Sequence, residues 1–322
     1  MAQPVSLLTL PDELLLWVLS YLSDEQDALS AIACACHKLQ DLAEPFIYAS
    51  KLITQGSQLS RLSDALATRK ERVQWVHGLD LRCRHTHTEG MSLMDTLLPS
   101  LVNLRELTIE SPWCNQSAES PEAWSDLLES YARIFRDASV LARPYHGGPE
   151  QPLARLQSCT LHWSGARTRT WPLKQAAALF LHPTLCELTI SSADAEEASF
   201  DIPFNTYRGS TRLRQLTLIQ CSIPLAMMKS LLSLPSALQS LYITTHRFLR
   251  QEMNRISLAH LIRILAVHQP KLESLTYSNA LESQSHDQIE GPKFDLSQLK
   301  KLKYLALPYD DGNRFWQLSD LI

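Results

Sequence analysis

Apolar residues in this chain follow two periods. From residue 76 onward the frame L-x-x-L-x-L recurs eight times: VHGLDL at 76, LRELTI at 104, LQSCTL at 156, LCELTI at 185, LRQLTL at 213, LQSLYI at 238, LESLTY at 272 and LKYLAL at 302. Two-residue alternation predicts short strands with one buried face. The segments MSLMDTLLPSL, PLKQAAALFLHP, PLAMMKSLLSLP and SLAHLIRILAVHQP, which precede the units at 104, 185, 238 and 272, are apolar at helical spacing. Each ends near a proline, which cannot continue a helix and biases the residue before it toward extended backbone. The predicted unit is strand, turn, helix, and it needs neighbours because one unit cannot bury its own apolar face. Steps between unit starts are 28, 52, 29, 28, 25, 34 and 30 residues, so the 52-residue step holds an insertion, at about 111–152. The insertion is rich in aromatics (Trp113, Trp124, Tyr131, Phe135, Tyr145), and its segment EAWSDLLESYARIF reads as a core-packed helix.

The other period opens the chain. LPDELLLWVLSYL, residues 10–22, reads as a helix with Pro11 at its first position and Asp12 and Glu13 in the first turn, where the helix dipole favours anions. Its apolar arc spans about 200°, whereas a surface helix buries a stripe of about 100°. Cover is therefore expected on both sides. The run is too short for a membrane span, and residues 1–9 carry no Lys or Arg of the kind a signal peptide uses. Ser23 and Gln26 are read as a capping box for a second helix bearing Leu29, Ile32, Ala33 and Cys36. Leu39, Leu42 and Ala43 lie on a third helix, which Glu44-Pro45 is expected to stop.

Residues 7–48 strongly resemble an F-box. The matching positions are Leu10, Pro11, Glu13, Leu14, Leu15, Val18, Leu19, Tyr21, Leu22, Leu29, Cys36, Leu39, Leu42, Pro45 and Tyr48. His37-Lys38 stands where many animal members carry Arg-Trp, and QLSRLSDALATRKERVQWVHGLDL resembles the link common in fungal members. Residues 73–310 resemble leucine-rich repeats, with LRQLTLIQCSI closest to the cysteine-containing variety. The ninth position of other units is Pro112, Ser164, Ala193 or His246, so no Asn or Cys ladder runs along the stack.

The resemblance implies an α/β chain: an F-box over 1–48, a helical linker over 49–72, and an irregular leucine-rich-repeat solenoid over 73–322. It implies a non-catalytic substrate-recognition subunit of an SCF-type ubiquitin ligase. Docking to the Skp-type adaptor of a cullin–RING ligase would fall to Leu10, Pro11, Leu14, Leu15, Val18, Leu19, Leu22, Leu29, Leu39 and Pro45. A target protein would meet the strand residues alternating with the inward leucines, chiefly Glu106, Thr108, Glu110, Thr189, Thr217, Tyr242, Thr244, Thr276 and Tyr304. Asp80, Arg82, Thr160, His162, Glu187, Gln215, Ser278 and Ala306 alternate in the same way. The alternative is a leucine-rich-repeat interaction scaffold not engaged with a cullin ligase.

Composition narrows the classes further. The 322 residues are 45% hydrophobic and 20% charged, with a formal net charge of −4. No basic block is long enough to follow a phosphate backbone, and no run is long enough to span a membrane, so neither is expected as a partner. Seven cysteines, an odd number set mostly among apolar residues, suggest a reducing compartment, cytoplasmic or nuclear. Asn115-Gln116-Ser117 is then a chance glycosylation match. No nucleotide loop, HExxH or GxSxG motif is present, and no cofactor is expected. YHGGPE at 145 reads as a loop, and DDGN at 310 lacks calcium-loop spacing. Cys83, His85 and His87 would converge if CRHTH were extended, which leaves a metal hydrolase as a distant third reading, but no fourth ligand is apparent nearby. Cys34 and Cys36 stand about 200° apart on a helix and do not share a metal easily.

Overall fold

A computed structural model describes residues 7–112, 122–142, 151–162, 171–195, 202–245, 256–278 and 296–307. Among them the chain is mixed α/β. Three helices come first: α1 (Asp12–Ser20), α2 (Gln26–Ala35) and α3 (His37–Ala49). Then follow β1 (Ser50–Ile53), α4 (Gly56–Thr68), α5 (Arg72–Trp75), β2 (Gly78–Leu81), α6 (Met94–Ser100), β3 (Glu106–Glu110), α7 (Glu122–Asp137) and β4 (Ser158–His162). The remainder comprises β5 (Trp171–Pro172), β6 (Glu187–Ser191), β7 (Ala193–Asp194), β8 (Gln215–Ile219), α8 (Leu225–Leu232), β9 (Ser240–Thr244), α9 (Leu258–His268), β10 (Ser274–Ser278) and β11 (Tyr304–Ala306).

Nine strands form one parallel sheet in chain order, β1-β2-β3-β4-β6-β8-β9-β10-β11, with β5 and β7 paired separately. All eight L-x-x-L-x-L segments supply a strand. Their second apolar position lies in one Cα register: Leu79, Leu107, Cys159, Leu188, Leu216, Leu241, Leu275 and Leu305. All eight are buried. Between Leu79 and Leu275 the third position follows as Leu81, Ile109, Leu161, Ile190, Leu218, Ile243 and Tyr277, also buried. Period-two patterning thus puts one face of every strand into a continuous core.

A backbone device repeats ahead of β3, β4, β6, β8, β9, β10 and β11. One carbonyl accepts two successive N–H groups from the next unit: His77 O from Arg105 and Glu106, Arg105 O from Gln157 and Ser158, Gln157 O from Cys186 and Glu187. The track continues through Cys186, Arg214, Gln239 and Glu273 to Lys303, at distances of 2.7 to 3.0 Å.

Several expectations need correction. The segment 49–72 is more than a helical linker. Its SKLI forms edge strand β1, parallel to β2, and Leu59, Leu62 and Leu66 of α4 join the main core. Ser23 and Gln26 form no capping box: α2 is preceded by Glu25, and the Gln26 amide donates to the Ser23 carbonyl instead. A glutamine does close the start of α4, where Gln58 Oε1 accepts the N–H groups of Thr54 and Gln55. Pro45 does not stop α3, which runs on to Ala49. The ring removes one N–H, but Ala43, Phe46 and Ile47 on either side pack into the three-helix core and hold the turn. PLKQAAALFLHP makes two 3-10 turns, Leu173–Gln175 and Ala177–Leu181, rather than an α-helix. All five residues of the second turn are buried, so packing has overridden helix propensity there.

Buried polar side chains tie the units together. Gln269, three residues before the Leu272 frame, donates to the carbonyls of Leu232 and Pro235 and accepts from Leu238 N–H. His182 holds the equivalent place before Leu185 and is fully buried.

Candidate protein-docking face

Helix α1 resolves its wide apolar arc into two stripes. Leu15 and Leu19 point inward, each 2% exposed, with Leu22 half-buried behind them. Leu19 packs with Leu29 and Ala43 into a small core that also takes up Leu22, Ile32, Leu42 and Phe46, all from the three-helix unit. The other stripe has no cover among the described residues. Leu14, Trp17, Val18 and Tyr21 fall at i, i+3, i+4 and i+7, so they share one face. Trp17 is 61% and Tyr21 72% exposed, and their rings meet at 5.6 Å between centroids. Leu7 and Leu8 are exposed as well. Lys38 of α3 secures this end of the chain, pairing with Asp12 at 2.9 Å and reaching the Leu8 carbonyl at 3.5 Å.

The ten sequence-derived docking residues divide accordingly. Leu15, Leu19, Leu29 and Leu39 are buried support. Leu10, Leu22 and Pro45 are intermediate, while Pro11, Leu14 and Val18 face solvent. Trp17 and Tyr21, the most exposed members of the stripe, were absent from that set. Counting i, i+3, i+4, i+7 from Leu14 rather than from Leu15 is the signal that finds them.

The three-helix unit meets the rest of the chain through charge and through Tyr48, which packs against the main core. Glu44 of α3 is 3% exposed. Its carboxylate accepts from Arg72 Nε and Nη2, from Arg69 Nη1 at 2.9 Å and from Gln40 Nε2 at 3.0 Å. Burial opposes its ionisation, but the hydrogen bonds from Arg72 and Gln40 and the charges of Arg72 and Arg69 outweigh burial and hold its pKa below the ordinary carboxylate value. The Arg72 guanidinium also lies over the Tyr48 ring, 5.1 Å from its centroid.

On the sheet's open face, register brings the predicted target-facing residues into rows. Asp80, Thr108, Thr160, Thr189, Thr217, Tyr242, Thr276 and Ala306 form one row across neighbouring strands. A second row runs Glu106, Ser158, Glu187, Gln215, Ser240, Ser274 and Tyr304. Glu110, His162 and Ser191 form part of a third, with Ser191 Oγ 2.7 Å from His162 Nδ1. Thr244 closes β9 beside Ser278. These side chains are exposed or intermediate apart from Ser191 and Ala306, which are buried. Asp80 is engaged by Arg82 at 2.8 Å.

The metal candidates do not assemble. CRHTH is not extended, because His85–His87 forms a 3-10 turn. Cys83 is buried, with Sγ on the Ile53 carbonyl and its pKa pushed up to about 11 by burial. Among the described residues no group of three metal-ligating side chains converges, and no helix is long and apolar enough to cross a membrane. Trp113, Asn115-Gln116-Ser117, Tyr145 with its YHGGPE segment, Ser164, His246 and DDGN lie outside the described residues. No protein-family model matches the chain, and no curated protein matches it either.

Proposed function

We propose that this chain is a non-catalytic substrate-recognition subunit of an SCF-type ubiquitin ligase, an F-box followed by an irregular leucine-rich-repeat solenoid. The outer stripe of α1 docks the Skp-type adaptor, and the open face of the sheet receives a target protein. Its contribution is proximity, raising the effective concentration of target beside the ubiquitin-charged enzyme. The observation that carries the reading is the stripe Leu14, Trp17, Val18 and Tyr21, apolar and exposed on a helix whose other face already closes its own small core. A continuous apolar patch of that kind marks an interaction surface. The uniform parallel units and their row of polar side chains support the second half.

Calorimetric titration with the Skp-type adaptor tests it. Leu15 and Leu19 are unsuited to substitution because they are core. Leu14→Asp with Val18→Asp alters only the exposed stripe. Binding by the wild type that this pair abolishes, with circular dichroism unchanged, is the expected result. No binding by the folded wild type removes the ligase reading and leaves the interaction scaffold.

A further inference from the structure

The leading edge of the sheet carries a charge pattern that the reading above does not use. In each unit two residues flank the first apolar residue of the L-x-x-L-x-L frame. Across eight units these positions hold Arg105, Arg155, Arg212, Arg214, Lys271, Lys301 and Lys303, and only one acid, Glu273. The whole chain has 30 Lys and Arg against 34 Asp and Glu, so the edge runs against the composition. All seven cations are exposed. Lys303 is paired with Glu273 at 2.7 Å. The other six have no carboxylate partner among the described residues.

The spacing of these cations is fixed by the backbone. Arg105, Arg214 and Lys303 are members of the carbonyl track that stitches each unit to the next. Strands in a sheet stand about 4.8 Å apart. The charged edge from β3 to β11 therefore spans about 29 Å, or about nine residues of extended peptide at 3.3 Å each. It is interrupted by neutral residues at β6 (Thr184 and Cys186) and β9 (Ala237 and Gln239). A local effect of the field is visible at His77, whose pKa is lowered by burial and then by the positive charges of Arg105 and Arg155.

We propose that this edge is a docking strip for an extended acidic segment of a partner protein. Guanidinium forks match carboxylates in bidentate geometry, and arginine is enriched at interfaces. A nucleic acid fits less well. Glu106 and Glu187 stand exposed one residue downstream of the strip on β3 and β6, and a continuous phosphate backbone would meet them. A peptide can set its carboxylates over β3, β4, β8 and β11 and place neutral residues between.

The test uses the full chain and fluorescence anisotropy. The probes are a labelled peptide of about ten residues alternating Glu and Ser, the matching Lys and Ser peptide, and a single-stranded oligonucleotide of similar length. The expected result is saturable binding of the acidic peptide alone, weaker at high salt. The triple variant Arg105→Glu, Arg155→Glu, Arg214→Glu should weaken it at least about tenfold, which corresponds to a few modest surface contacts. These three side chains are exposed, and a Gln triple variant of intermediate affinity guards against a folding artefact. Failure of the acidic peptide to bind, equal binding by the Glu triple variant, or tighter binding of the oligonucleotide overturns the proposal. Adaptor titration is a separate readout at α1, so either result can stand without the other.

Discussion

Arg72 grips the carboxylate of Glu44 with two nitrogens of its guanidinium, across the joint between α3 and α5. The two hydrophobic clusters on either side are distinct, one inside the three helices and one under the sheet. The buried ion pair bridges them, beside Tyr48 of α3, which packs against the core under the sheet. Arg72→Met leaves a buried carboxylate without its main partner and is expected to cost about 3 kcal/mol in urea unfolding at neutral pH. Glu44 titrates below the ordinary carboxylate value in the folded state. Its stabilising contribution is present above the unfolded-state pKa and is lost as pH falls through the lower folded pKa. Urea midpoints between pH 5 and pH 2 should therefore fall more steeply for wild type than for Glu44→Gln; parallel curves would contradict the ion-pair account.

His182 and Gln269 occupy equivalent places, and their chemistry separates them. Burial is the main influence on His182 and pushes its pKa down to about 4, with the nearby Leu153 backbone working the other way. The unfolded chain takes up this proton near pH 6.5 while the folded chain resists it until about pH 4. Stability should thus decline across that window as pH falls. His182→Gln is expected to flatten this part of the pH profile.

Gln269→Leu keeps the volume but strands the carbonyls of Leu232 and Pro235 and the N–H of Leu238. Unpaired buried backbone groups cost about 1–3 kcal/mol each, and the variant should lose at least about 3 kcal/mol by chemical denaturation. A change below about 1 kcal/mol would mean that water replaces the amide.

Much of this was legible beforehand. The eight strands follow from a period of two that each frame repeats, because buried leucines cannot change face without unfolding the unit. Strand β1 was not legible, since SKLI lacks the frame and exposes Leu52 on the edge. The course of α3 through Pro45 was hidden because local propensity opposes it and only tertiary packing decides. On α1, the width of the apolar arc was plain, but its division was not. Leu14 and Leu15 are chemically alike, and which of them faces inward depends on where α2 and α3 pack.

That division makes a contrast in stability. Leu19→Ala removes a core side chain and should cost about 2–5 kcal/mol or unfold the three-helix unit outright. Val18→Ala, on the exposed stripe, should stay within about 0.5 kcal/mol. Thermal unfolding followed by circular dichroism distinguishes them, and equal losses would mean the outer stripe is covered in solution.

Cysteine chemistry offers a check on the core as a whole. Cys34 is exposed, while Cys159 and Cys221 are buried. Burial pushes the Cys221 thiol up to about 12 and the Cys159 thiol up as well. Brief alkylation of the native protein at neutral pH should label Cys34 and spare Cys159 and Cys221 until denaturant is added, as read by peptide mass mapping.

The carbonyl track has a consequence for how such a chain can change. Glu106 pairs with Ser158 in the same register as every other neighbouring pair, although the units beginning at Leu104 and Leu156 are 52 residues apart. Loop length is thus decoupled from strand position. The sheet works as a ruler whose graduations stay fixed while the chain between them lengthens or shortens. New binding chemistry can then arise one graduation at a time, by single substitutions on the face or the edge, without moving the marks already there.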